Sequence, residues 1–151
     1  MLVANTANDQ IIKIPVTNGQ PDNPIAGQPE VLVNSINGAD GIGIDGKDNI
    51  WVAANQEDEI VVIDPTGKVL AKLGDFDGID KDGVPQGLLF PASPAFSLDG
   101  RTLYVTNLAL DLRLATGSPA SQTIDSQWTD LVKSYTVSKI NTNFKPLKIQ
   151  Q

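Results

Sequence analysis

Three short segments of the chain repeat one another: "LVANT" at 2–6, "IWVAANQ" at 50–56 and "LYVTNLA" at 103–109. Aligned on Asn5, Asn55 and Asn107, they recur at periods of 50 and 52 residues. Periods of this length mark folds built from stacked supersecondary units, and they restrict topology more than local propensity does. The rest of the unit repeats with them. A second β-branched run follows the first two segments at equal distance, "QIIKIPV" (10–16) and "EIVVID" (59–64). Each then meets a turn, "TNG" or "PTG", and a third run, "EVLV" (30–33) or "KVLAKL" (68–73). Ahead of the shared motif stand "GIGIDG" (41–46) and "AFSLDG" (95–100), each closing on an Asp-Gly turn. One unit is therefore four short antiparallel strands over about fifty residues, the pattern of a β-propeller blade. A meandering sandwich would share the strand rhythm but not the repeated turn positions and strand order.

The expected fold is all-β: a partial β-propeller of four-stranded antiparallel blades, roughly two and a half to three of them. Residues 1–38 form an incomplete blade without its innermost strand, because Met1 already stands inside the second strand. Residues 39–91 form a complete blade. Residues 92–151 form a last blade, carrying a polar insertion near 108–130 before "SYTVSKI" (134–140) resumes the strand pattern. A propeller closes with about four to eight blades, and an open one leaves blade faces and strand edges uncovered. Closing the ring calls for further N-terminal blades in a longer protein, the favoured reading, or for self-association with copies of the chain.

Composition narrows the chemistry. Eleven basic residues against eighteen acidic ones give a net charge of −7, which disfavours nucleic acid and anionic membrane as partners. No apolar run reaches the length of a membrane span, and the N-terminus shows no basic stretch leading into an apolar one. This points to a soluble chain and leaves its compartment open. There is no cysteine, so disulfides, thiolate metal sites and cysteine nucleophiles are excluded together. There is no histidine either, which excludes a Ser-His-Asp triad and a His-ligated zinc. Catalysis would have to rest on carboxylates, Lys, Tyr or a hard metal with oxygen ligands.

Three aspartates flank the first strand of the complete blade: Asp40, Asp45 and Asp48. In an antiparallel blade the loops joining strands 4→1 and 2→3 share one face, and those joining 1→2 and 3→4 share the other. Asp45 and Asp48 belong to the 1→2 turn "DGKDN", where turn chemistry accounts for them, and Asp45 is matched by Asp99 in the third unit. Asp40 lies on the opposite face, ahead of the strand that lines the central channel. That match sets Asp40 opposite Pro94, so the repeat demands no carboxylate there.

The segment "ADGIGIDGKDNIWVA" (39–53) resembles the P-D-G-(apolar)-x-(apolar)-D-x-x-G-x-(apolar)-W-V-A motif of the regucalcin/gluconolactonase family of six-bladed propellers. The likeness runs on through "NQEDEIVVIDPTGKVL" and, more loosely, across the chain, with Ala39 standing where the family has proline. The resemblance implies a divalent-metal-dependent hydrolase of sugar lactones and related esters, with calcium the first choice of metal and zinc, magnesium or manganese the alternatives. It implies that Asp40 is a metal ligand at the channel mouth. The family's other protein ligands, a glutamate and an asparagine, have no match in this sequence, so the chain alone holds an incomplete site and is expected to be inactive alone. The competing reading is a non-catalytic propeller that binds a partner with its acidic loop face.

Two further stretches bear on that face. "GDFDGIDKDG" (74–83) fits an EF-hand loop in neither register, because Gly78 or Leu73 falls at the first ligand position and Leu89 or Val84 at the last. It reads as a solvated 4→1 loop. "DSQWTDLVKSY" (125–135) spaces Trp128, Leu131, Val132 and Tyr135 as one helical face, with Trp128 anchoring the loop on the last blade. A short helical turn or a cover for the channel would each fit that spacing.

Overall fold

A computed structural model describes residues 1–20, 23–117 and 126–142. Its central sheet joins Ala39–Ile44 (β6), Ile50–Ala54 (β7), Glu59–Ile63 (β8) and Val69–Leu73 (β9) in antiparallel sequence order. It is flanked by a sheet of Leu2–Asn5 (β1), Gln10–Lys13 (β2) and Glu30–Val33 (β5). On the other side stands a sheet of Pro91–Phe96 (β12), Thr102–Asn107 (β13) and Val137–Asn141 (β14). Two hairpins are added: Val16–Gln20 (β3) with Asn23–Ala26 (β4), and Phe76–Ile79 (β10) with Pro85–Gly87 (β11). The chain is a partial β-propeller. Residues 143–151, where a fourth strand of the last blade would fall, lie outside the described residues.

The sequence dictates this stacking. β7 reads IWVAA and β8 EIVVI, apolar on both faces, so the central blade must be covered on both sides. Ile50, Val52, Ala54, Val61 and Ile63 face the first blade and pack with Ile11, Leu2, Ala4 and Val33. Trp51, Ala53, Ile60 and Val62 face the last blade and pack with Leu88, Leu103 and Val105. Trp51 meets Phe96 edge-on, with ring centroids 5.3 Å apart. Each large side chain so buried stabilises the fold by roughly 1.5–3 kcal/mol.

Successive blades are also tied by one polar contact that recurs. Asp9 and Asp58 both stand in the left-handed region (φ 57° and 53°) just before β2 and β8. Asp9 Oδ1 accepts from the Gly38 N–H at 2.8 Å, and Asp58 Oδ1 from the Phe90 N–H at 2.7 Å. Each reaches from its own blade into the loop that opens the next.

The structure corrects the repeat register. Ile44 pairs with Ile50 and Phe96 with Leu103, so Asp45 corresponds to Ser97 rather than Asp99, and Asp40 to Ala92 rather than Pro94. Likewise Ala54 pairs with Ala39 where Asn107 pairs with Pro91, so Asn107 corresponds to Ala54 and not to Asn55. The slips arise in the 1→2 connection, where five residues separate Ile44 from Ile50 but six separate Phe96 from Leu103, so sequence spacing falls out of step with pairing.

The stretch 74–83 is no open loop. Asp80 Oδ1 accepts the N–H groups of Asp82 and Val84, and this side-chain turn folds the segment into the β10–β11 hairpin. The insertion of the last blade contains two short helices, Leu112–Thr116 (α1) and Ser126–Thr129 (α2). The helical face expected over 125–135 is thus one turn only. Trp128 anchors it, but on Phe76 of β10, with centroids 5.8 Å apart. Lys133 N–H donates to Gly83 O at 2.8 Å, so the insertion docks on the hairpin. Among the described residues no helix is long and apolar enough to cross a membrane.

Candidate functional site

β6 carries Asp40 near one end, and Asp45 follows directly at the other. At the Asp40 end the 4→1 and 2→3 loops gather. Thr6 Oγ1 donates to Ala39 O at 2.7 Å, and Asn37 Nδ2 to Glu57 Oε1 at 2.7 Å. Asp40 lies within the β6 bulge, a device that re-aims a side chain out of the regular alternation. The next residue has to be glycine. A Cβ on Gly41 would stand 2.4 Å from Ala92 O and 2.8 Å from Ser93 Cα, so only glycine lets β6 and β12 approach this closely.

The Asp40 carboxyl is half-buried, and burial raises its pKa above the ordinary carboxylate value, although a hydrogen bond from the Asn55 side chain pulls the other way. Asn55 is itself buried, and its Oδ1 has no hydrogen-bond partner. That oxygen lies against Gly38, where a Cβ would come within 1.9 Å of it. Asn55 therefore presents its amide to Asp40 and its oxygen to backbone. Such an arrangement steadies a carboxylate in the way outer-shell partners steady metal ligands. Sequence reasoning saw Asn55 only as a repeat marker, and its place directly after β7 on the Asp40 face was the available signal.

Asp45 is the opposite case. Burial alone would raise its pKa, but hydrogen bonds from Asn49 and Trp51 side chains and from the Lys47 and Asn49 backbone outweigh that and hold it low. The distances are 2.9 Å from Asn49 Nδ2, 3.1 Å from Trp51 Nε1, and 2.8 and 3.1 Å from the Lys47 and Asn49 N–H groups. Every lone pair is used inside the fold, so Asp45 is structural. Asp48 is exposed with φ 62°, a turn position.

Asp40 offers carboxylate oxygens that are oriented by Asn55 and partly desolvated. Among the described residues no three His, Cys, Asp or Glu side chains converge as a metal-binding group.

No protein-family profile and no curated protein sequence matches the chain. Solved structures do match. Luciferin-regenerating enzyme aligns with a TM-score of 0.65 and 20% identity over 97% of this chain and 43% of that one. The calcium-binding protein regucalcin from Agrobacterium tumefaciens str. C58 aligns with a TM-score of 0.56 and 21% identity, over 99% of this chain and 45% of that one. The chain thus spans less than half the length of either structure. The sheets described above share the fold of both neighbours: this chain has the fold of a run of β-propeller blades.

Proposed function

We propose that these blades belong to a divalent-metal-dependent hydrolase of sugar lactones or related esters, in which Asp40 supplies one metal ligand. The observation that carries this reading is the placing of Asp40. It is a half-buried carboxylate of raised pKa in a bulge of the inner strand, steadied by Asn55, at the end where the 4→1 and 2→3 loops gather. Oxygen donors of this kind suit calcium first, with magnesium, manganese or zinc as alternatives. When bound, such an ion polarises a substrate carbonyl and lowers the pKa of water. With no histidine in the chain, proton movement falls to a carboxylate or to water. The second reading is a non-catalytic module that uses this loop face for binding. It is favoured by the lack of a converging ligand group among the described residues.

The test compares Asp40→Asn with Asp48→Asn in the complete propeller, reading divalent-metal affinity by calorimetry. Asp40→Asn keeps the side chain's size but removes the charge, and should weaken metal binding sharply and abolish lactone hydrolysis. Asp48→Asn should leave both unchanged, because asparagine tolerates positive φ. The metal-free fold gives a second readout. A carboxyl whose folded pKa is raised supports folding most below its unfolded pKa, and that support is lost as pH rises through the folded value. Metal-free Asp40→Asn should therefore melt no lower than the parent at neutral pH. Unchanged metal affinity in Asp40→Asn would transfer the preference to the binding module.

A further inference from the structure

The bulge in β6 withholds from Asp40 the support that a regular strand gives. Ala39 pairs with Ala54 and Ile42 with Val52, so Asp40 and Gly41 together face Ala53 and lack regular ladder partners. The direction of the Asp40 side chain then depends on how the peptides on either side are held. Downstream, Gly41 lies close on Ala92 and Ser93 of the last blade. Upstream, the grip comes from the preceding blade. Asp9 O accepts the Ile36 N–H at 3.1 Å, and Asp9 Oδ1 accepts the Gly38 N–H at 2.8 Å. Thr6 Oγ1 donates to Ala39 O at 2.7 Å. That last carbonyl shares a rigid plane with the Asp40 N–H, so fixing its direction fixes the point from which the carboxylate arm leaves.

The joint ahead of the last blade offers an internal comparison. Asn5 pairs with Gln10 as Ala54 pairs with Glu59, and the loops 6–9 and 55–58 have the same length, so Thr6 corresponds to Asn55 and Asp9 to Asp58. Asp58 repeats the carboxylate tie, to the Phe90 N–H. Asn55 does not repeat the hydroxyl bond, since its amide goes to Asp40 of its own blade. The strand beyond that joint carries Ala92 where β6 carries Asp40. The extra bond thus stands at the joint that leads to a carboxylate, and not at the one that leads to alanine. Thr6 itself is exposed, where a single hydrogen bond contributes little to folding.

We propose that Thr6 and Asp9 are positioning residues for Asp40: the 2→3 loop of one blade aims the carboxylate of the next by holding the backbone at Gly38 and Ala39. The proposal deepens the hydrolase reading and rests on Asp40 holding a divalent cation. Thr6 and Asp9 act through the backbone, not as ligands.

The experiment uses the complete propeller and reads calcium affinity by calorimetry beside the melting midpoint of the metal-free protein. Thr6→Val keeps the side chain's shape without its donor. It should weaken calcium binding roughly tenfold, as loss of an outer-shell contact does, while barely moving the melt. Thr6→Ser restores the donor and should bind like the parent. Asp9→Ala should weaken binding at least as much as Thr6→Val. Asp9→Asn lacks the charge but keeps an acceptor and tolerates the left-handed backbone, so it should bind like the parent. Asp45→Asn sets the scale for plain destabilisation: it should lower the melt and leave affinity unchanged. Parental affinity in Thr6→Val, equal losses in the two Asp9 variants or a matching loss in Asp45→Asn would each overturn the proposal. If Asp40→Asn weakens binding and Thr6→Val does not, the positioning fails and the hydrolase reading stands. If Asp40→Asn leaves binding unchanged, that reading fails and takes the positioning with it.

Discussion

Asp40 in β6 and Asp45 just past its end lie five positions apart, and their surroundings drive their carboxyls in opposite directions. Asp45 has a depressed pKa, so its support for the fold is present above the unfolded value of about 3.9 and is lost as pH falls through its folded pKa. Asp45→Asn would turn an amide donor toward the Trp51 and Asn49 donors. We expect it to lower stability at neutral pH by about 2–3 kcal/mol, and by less in acid, as measured by urea denaturation at pH 7 and near pH 3. A loss of the same size at both pH values would contradict the network. The turn itself was legible, since Asp-Gly followed by Lys-Asp-Asn writes its backbone contacts in sequence. The indole contact was not, because nothing in residues 45–51 says that Trp51 bends its ring edge back to the turn.

At the scale of the element, the interblade tie from Asp58 is testable. Alanine there would lose the bond to Phe90 N–H and would strain the left-handed backbone, whereas asparagine keeps an acceptor and tolerates that conformation. Asp58→Ala should cost about 2–3 kcal/mol and Asp58→Asn less than about 1 kcal/mol in the same denaturation experiment. Equal losses would assign Asp58 no role as a tie. Strands β7 and β8 were legible because each is an unbroken apolar run, as a doubly covered strand must be. The β10–β11 hairpin was not, since its pairs are short, polar and set by the Asp80 side chain. The bulge that aims Asp40 was equally silent, because it is a property of pairing.

For the whole molecule, the propeller was legible because it is periodic, and the site was only partly so because one chain position cannot show what stands across from it. Calcium takes about six to eight oxygens, and one Asp40 carboxylate offers at most two. The 151-residue chain should therefore hydrolyse no simple aldonolactone, with or without added calcium. Turnover that a chelator abolishes and calcium restores would prove this wrong. The Asp9 and Asp58 contacts carry one more consequence. Each carboxylate sits in its own unit and is spent on a backbone N–H of the unit that follows, that of a glycine in one case and of a phenylalanine in the other. A gene segment copied in tandem thus arrives already equipped to couple to whatever copy comes next, so arrays of this kind can lengthen or shorten by whole units without inventing a new joint.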